Sequence, residues 1–261
     1  MKKIKSRKLF EKIIFIILGL VLVILVWEII SFATNALFLP HFYQCFVNLF
    51  KLLGSSITWK SIGLSLLRVL ISFSISAVVG IFLGQIAGRF SKLEYTLTPL
   101  MTVLKALPTV AIVLLLVAFT KHSYLYVVSI LLFPLIYQSS KEGCSEVYRQ
   151  YRYDLIMEGK NNFIYNMFKV SLPLSMDYIL LSLIQSFGLG IKAQIMAETF
   201  SYSSTFNGIG KLIYSGYLNS DYLNMMSYVL IALFITLIFD IGLIIVRNKI
   251  EKKLSISKEN N

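Results

Sequence analysis

Six long stretches with few or no charges follow one another along the chain, and nothing else in the sequence constrains the fold as tightly. They cover residues 13–33, 69–88, 95–120, 123–140, 170–197 and 222–246. About 20 apolar residues in a helix reach across a hydrocarbon core roughly 30 Å thick. Inside that core a backbone must satisfy its own hydrogen bonds, which leaves helices or closed barrels. Runs this long suit helices, since a spanning strand needs only about 10 residues of alternating pattern. The chain is therefore predicted to be an all-α integral membrane protein with about six transmembrane helices. Its composition points the same way: 57% of the 261 residues are hydrophobic and 15% charged, against about 25% charged in a soluble domain.

The charges that remain orient the spans, because Lys and Arg collect on the cytoplasmic side. Lys2, Lys3, Lys5, Arg7, Lys8 and Lys12 precede the first stretch, and Arg247, Lys249, Lys252, Lys253 and Lys258 follow the last. Six spans place both ends on one side. The loops on that side add Arg89, Lys92, Lys141, Arg149, Arg152, Lys160 and Lys169, whereas the opposite side holds only Lys51, Lys60, Lys121 and Lys211. Both termini are expected to be cytoplasmic. The organisation that follows is a basic N-terminus (1–12), a single transmembrane domain (13–246) with a long cytoplasmic loop (141–169), and a C-terminal tail (247–261). The basic start and first apolar stretch resemble a signal peptide, yet no small-residue cleavage pattern follows; a retained span is expected. The net charge of +12 is explained by this anchoring, with no aromatic-interleaved basic patch of the kind that binds nucleic acid.

Ionisable residues at membrane depth are costly and default to functional candidates. Arg68, Lys105, Asp177, Lys192, Glu198 and Asp240 fall in or near the stretches, and of these Arg68, Lys105, Lys192 and Glu198, with Pro108, are candidates for lining a pathway. Charges near a helix end can instead snorkel to the interface. Gly80, Gly84 and Gly88 recur every four residues, which puts them on one helix face and admits a second backbone. No phosphate-binding loop, nucleophile elbow or zinc-ligand spacing is present, and His41 and His122 are the only histidines. No catalytic residue, metal site or bound cofactor is expected in this chain.

Three stretches, read together, resemble the inner-membrane permease component of binding-protein-dependent ABC importers, in the group that serves nitrate, sulfonate, taurine and bicarbonate. The first runs from Trp59 through Ser65-Leu66-Leu67-Arg68-Val69 and the spaced glycines to Lys105-Ala106-Leu107-Pro108. The second is 154–173. The third is Ala197-Glu198-Thr199-Phe200 followed by Asn207-Gly208-Ile209-Gly210. The similarity of pattern extends over about residues 36–250. In the second stretch the family has a glutamate, two alanines and a glycine upstream of a leucine-proline pair. Aligned on Leu172-Pro173, Asp154 takes the place of the glutamate, Leu155 and Ile156 of the alanines, and Lys160 of the glycine, with Gly159 one place off.

The resemblance implies a type I ABC importer permease-like fold in a bacterial inner or plasma membrane, moving a small solute brought by an external substrate-binding protein. It implies a second permease copy, as a homodimer, and separate ATP-binding subunits that carry ATP and magnesium. Asp154, Leu155, Ile156, Glu158, Gly159, Lys160, Phe163 and Pro173 would form the element that docks on the ATPase. Lys105 and Lys192 favour an anionic or sulfonate-like solute. The competing reading from residues alone is a secondary transporter driven by an ion gradient, which would centre on a mid-membrane acid or broken helix and need no cytosolic docking element.

Overall fold

The computed structural model describes residues 2–120, 123–151, 163–201 and 208–259. Among them the ordered elements are helical: α1 (Lys2–Ala33), α2 (Phe42–Leu53), α3 (Ser56–Arg89), α4 (Ser91–Ala106), α5 (Thr109–Phe119), α6 (Ser123–Gln150), α7 (Met176–Phe200), α8 (Ile209–Leu218) and α9 (Tyr222–Glu259). A short helical stretch, Phe163–Asn166, a π turn, Met167–Ser171, and one further turn, Leu172–Leu174, lead into α7. Among the described residues, the helices long and apolar enough to cross a membrane are Ile14–Ala33 within α1, α3, α7 and Tyr222–Lys249 within α9. The pair α4 and α5 meets the same test as one broken span bent by 98°.

The bend changes the expected single span over 95–120. Pro108 disfavours the helical region for the residue before it, and Leu107 is extended (φ −66°, ψ 130°), as is Pro108 itself (φ −58°, ψ 132°). Two extended residues end α4 and restart α5 in a new direction. The long loop expected from residue 141 also begins later, because α6 continues to Gln150. Its polar residues find partners there: Lys141 pairs with Glu94 at 2.7 Å and Arg149 with Glu146 at 2.7 Å.

The chain forms two compact units. The first comprises Met1–Thr58 and Leu212–Ile231. In it Glu28 of α1 accepts the Phe42 N–H at the start of α2 (2.8 Å) and pairs with His41 Nδ1 (2.8 Å), while the Trp27 indole donates to Pro40 O (3.0 Å). Asn48 of α2 donates to Asn224 Oδ1 (2.7 Å) and Ser227 Oγ (3.1 Å), tying α2 to the start of α9. The side chains of α1 from Ile14 onward are almost all exposed, as suits a helix whose neighbours are lipid.

The second unit comprises Trp59–Lys211 and Ala232–Asn261 and is organised around α6. Ser72, Ser76, Gly80, Gly84 and Gly88 of α3 stand at four-residue intervals and so share one face. A Cβ on Gly84 would lie 2.6 Å from Ser140 Cβ and 2.7 Å from Tyr137 O, and one on Gly88 would lie 2.6 Å from Cys144 Cβ. Only glycine allows that approach. Hydroxyls and a thiol then bond across the seam. Ser76 Oγ donates to Ser129 O (2.8 Å), Ser140 Oγ to Ile81 O (2.9 Å), Cys144 Sγ to Gln85 O (3.2 Å) and Ser145 Oγ to Gly88 O (3.2 Å). Val128, Leu132 and Ile136 of α6 form a buried cluster with Phe73 and Ala77 of α3 and with Leu183 and Ala193 of α7.

Candidate functional site: an exposed charged face and a buried ion pair

Lys105 lies in the last turn of α4, just before the bend, and Lys192 lies in α7. Both line a cavity of about 510 Å³ in the second unit, together with Leu104, Leu107, Leu135, Leu189 and Met196. Apart from Thr109 the rest of the lining is apolar, so the two ammonium groups are the charges of this cavity. Lys105 Nζ donates to Gln138 Oε1 at 3.3 Å, and Gln138 in turn bonds Glu142, one turn further along α6. On α4 the exposed face that leads to Lys105 carries Thr98 and Thr102, each bonded to the carbonyl four residues back (2.7 and 2.9 Å). Exposed charged and amide groups at these depths require water or protein beside them, because hydrocarbon would leave them unsolvated.

Lys192 also borders a second cavity of about 290 Å³, lined by Gln185, Gly188, Asp240, Leu243 and Arg247. There its Nζ meets Asp240 Oδ2 at 3.2 Å. Gly188 makes room for that carboxylate, since a Cβ would lie 2.8 Å from Asp240 Oδ1. Lys192 is thus compensated by a carboxylate, whereas Lys105 bonds a neutral amide.

A different site closes around Glu198, near the end of α7. Arg68 Nη1 donates to its Oε1 at 2.8 Å, Gln194 Nε2 to the same oxygen at 3.0 Å, Ser65 Oγ to Oε2 at 2.6 Å and the Gly210 N–H to Oε2 at 3.4 Å. Ser65 Oγ accepts from the Ile209 N–H at 3.0 Å. Arg68 is 5% exposed and Glu198 2%. The carboxylate therefore sits at the N-terminal turn of α8, where free N–H groups and the helix dipole favour a negative charge. Gly208 and Gly210 press against it: a Cβ on Gly208 would overlap the Glu198 carboxylate, and one on Gly210 would overlap Ile195 O.

The residues singled out in the sequence thus fall into separate places. Lys105 and Lys192 line the cavity by the bend, and Pro108 is the extended residue immediately before α5. Arg68 and Glu198 bond each other. Gly80, Gly84 and Gly88 face α6. Asp154, Leu155, Ile156, Glu158, Gly159 and Lys160 lie outside the described residues; Phe163 opens the stretch before the π turn, and Pro173 follows that turn. Sequence reasoning passed over Gln138, Glu142 and Gln194, and took Ser65 only as part of a resembling stretch. The signal available was spacing, for Gln138–Glu142 and Gln194–Glu198 are both four-residue pairs on one helix face.

No family model matches the chain, and no curated protein is similar to it in sequence. Among solved structures, a chain of the MetNI methionine ABC transporter in inward-facing conformations superposes with a TM-score of 0.62 at 13% identity, covering 74% of this chain and 95% of that one. At that identity the likeness is one of fold alone: this all-α chain shares the fold of that chain of an ABC transporter.

Proposed function

We propose that this chain is the transmembrane permease subunit of an ATP-driven bacterial importer, translocating a small solute delivered by an external binding protein, with ATP and magnesium on separate ATP-binding subunits. The observation that carries the reading is the fold likeness, which takes in 95% of a chain of the MetNI methionine ABC transporter. The exposed, charged face formed by Lys105, Gln138 and Glu142 supports it, because such a face needs water or a second subunit against it. In this reading two copies pair as a homodimer, the termini are cytoplasmic, and the solute passes the cavity at the α4–α5 bend. Lys105 then supplies a cation to a solute carrying an anionic group, with leucine side chains against its apolar part. The segment from Asp154 to Lys160, with Phe163 and Pro173 behind it, meets the ATPase. The chain itself makes and breaks no covalent bond.

The test is reconstitution. The chain is co-expressed with ATP-binding subunits and binding proteins encoded beside it, placed in liposomes, and assayed for solute uptake and ATP hydrolysis stimulated by the loaded binding protein. Uptake that needs ATP and binding protein supports the reading. Uptake that proceeds without ATP and collapses with an uncoupler overturns it in favour of a gradient-driven carrier.

A further inference from the structure

The cavity of about 290 Å³ beside Lys192 is lined by residues of α7 and α9, both long and apolar enough to span a membrane. On α7 the exposed side chains Gln185, Leu189 and Lys192 follow helical spacing and share one face. On α9, Asp240 and Arg247 stand two turns apart, about 10 Å along the axis. The helices pass in opposite directions: Lys192 meets Asp240, and a Cβ on Gly188 would lie 2.8 Å from Asp240 Oδ1 and 3.7 Å from Leu243 Cδ1, further along α9. Beside this seam Leu237, Ile241, Ile244 and Ile245 of α9 are exposed, as lipid-facing side chains would be.

The polar groups here sit at span depth, where an amide or a charge without a polar partner is costly. Asp240 meets part of that need for Lys192, at 3.2 Å, but it takes only one direction of an ammonium that carries three donors. Gln185 adds an exposed amide, and Arg247 a guanidinium whose planar fork matches a phosphate. With two bases against one acid, the lining carries a net charge of +1. The complement is a ligand of single negative charge with further acceptor oxygens and an apolar body. Ile184, Leu243 and Ile244 line the same cavity, and the apolar face of α9 continues past it, so a water-soluble anion would leave that surface uncovered. A phospholipid covers it with acyl chains.

We propose that the cavity between α7 and α9 binds one anionic phospholipid of the phosphatidylglycerol class, with Arg247 and Gln185 on the phosphodiester, Lys192 on the ester carbonyls and the acyl chains along Leu237 and Ile241. The order of groups along α9 matches the order along such a lipid. Arg247 stands near the end of the span, at phosphate height; the Lys192–Asp240 pair lies deeper; the apolar side chains lie beside and beyond it. Basic pockets between spanning helices hold anionic headgroups on this principle. A zwitterionic lipid carries no net charge to match the lining, and its ammonium group would meet the Arg247 guanidinium. Bound lipid fastens α7 to α9 through both helices' polar groups. The proposal needs only the two spans and holds whether or not an ATPase associates with the chain.

The experiment uses the full chain in nanodiscs of phosphatidylcholine and phosphatidylglycerol in equal parts, with the lipid retained on release into mild detergent identified by native mass spectrometry. The wild type should keep a single phosphatidylglycerol in preference to phosphatidylcholine. Arg247→Gln should weaken retention roughly tenfold or more, the worth of a charge-assisted bond, and Arg247→Lys should preserve most of it. Lys249→Gln removes the same charge from the same end of α9 but outside the lining, and should leave retention unchanged. Ile244→Trp keeps every charge while filling the cavity from an exposed position, so it should expel the lipid from a folded chain. Equal losses in Arg247→Gln and Lys249→Gln would reduce the effect to general surface charge and overturn the site. Equal retention of the two lipids, or full retention in Ile244→Trp, also overturns it. Displacement of the lipid by excess glycerol phosphate would assign the cavity to a soluble anion, and disulfide-linked dimers of Gln185→Cys with no lipid retained would assign it to a second copy; either result refutes the lipid.

Discussion

Removing Arg68 should destabilise the fold more than any change on the exposed faces. Arg68 and Glu198 are 5% and 2% exposed, so truncating one partner leaves the other charged in a site without water. Breaking a buried pair in this way costs about 3–5 kcal/mol. Three further donors remain on Glu198, from Ser65, Gln194 and the Gly210 N–H, and these hold Arg68→Met toward the lower end of that range. Glu198→Leu takes the carboxylate from the guanidinium and from the same donors together, placing it toward the upper end. Arg68→Met/Glu198→Leu removes both charges and leaves only neutral groups to be re-paired, at about 1–3 kcal/mol each. Three such groups at the low end cost about 3 kcal/mol against about 8 for the singles together, so the double variant should lose less than the sum of the singles, by about 0.5–3 kcal/mol. The assay is reversible unfolding of the purified chain in mixed micelles, followed by circular dichroism across a denaturing-detergent titration. Additivity within about 0.5 kcal/mol, or an Arg68→Met cost below about 1 kcal/mol, would refute the claim that the pair is a coupled, water-free unit.

Other perturbations probe separate parts of the molecule. Gly84→Leu should cost upwards of about 1–3 kcal/mol, since even a Cβ there overlaps Ser140 and Tyr137; size-exclusion yield and unfolding of the variant would reveal the wedge, and normal yield would mean that the face is not packed. Gly208→Ala should displace the Glu198 carboxylate, which a Cβ would overlap, and lower the unfolding midpoint, whereas an unchanged midpoint would argue against the close approach. Burial pushes the Cys45 thiol up to about 11, so at pH 8 the folded protein should react with a maleimide about 100-fold more slowly at Cys45 than an ordinary thiol does; rapid labelling without denaturant would contradict its burial. Lys105→Gln should reduce uptake of an anionic solute roughly tenfold or more, the worth of a charge-assisted bond, with Lys105→Arg largely active, and equal uptake in both would remove Lys105 from the pathway.

The spans were legible because an apolar run of 20 residues has few other places to go in an aqueous cell. What the sequence carried less openly was where helices stop. Leu107-Pro108 is a visible break by the rule that the residue before proline avoids helix, but a continuous apolar background makes it read as a kink inside one span. Conversely, Lys141 and Glu142 look like the start of a loop, yet α6 runs through them because Glu94 and Gln138 pair with them. Partnering was the least legible. Arg68 and Glu198 are each conspicuous at membrane depth, but they lie 130 residues apart, and no local periodicity links them. Gly80, Gly84 and Gly88 announce a close neighbour without identifying α6. The segment 154–160 lies outside the described residues, so its role is carried by the resemblance alone.

The central position of α6 has a consequence for how the protein is made. A helix such as α1, apolar and exposed from Ile14 onward, can pass into lipid as soon as it leaves the ribosome. The helix α6 cannot rest there so easily. Its neighbours α3, α4 and α5 precede it in the chain, but its packing with α7, through Leu132 against Gly190 and Gly143 against Ser175, must wait until α7 is complete, 50 residues after Gln150 at Phe200. At about 5–20 residues per second that interval is roughly 3–10 s. During it the Gln85 amide of α3 and one side of α6 face the bilayer or the insertion machinery with Gln85's later partners, Ser171 and Ser175, still unmade. The step most exposed to error in biogenesis is therefore the holding of α6, and substitutions that make its α7-facing side more polar should lower membrane yield even where the finished protein would tolerate them.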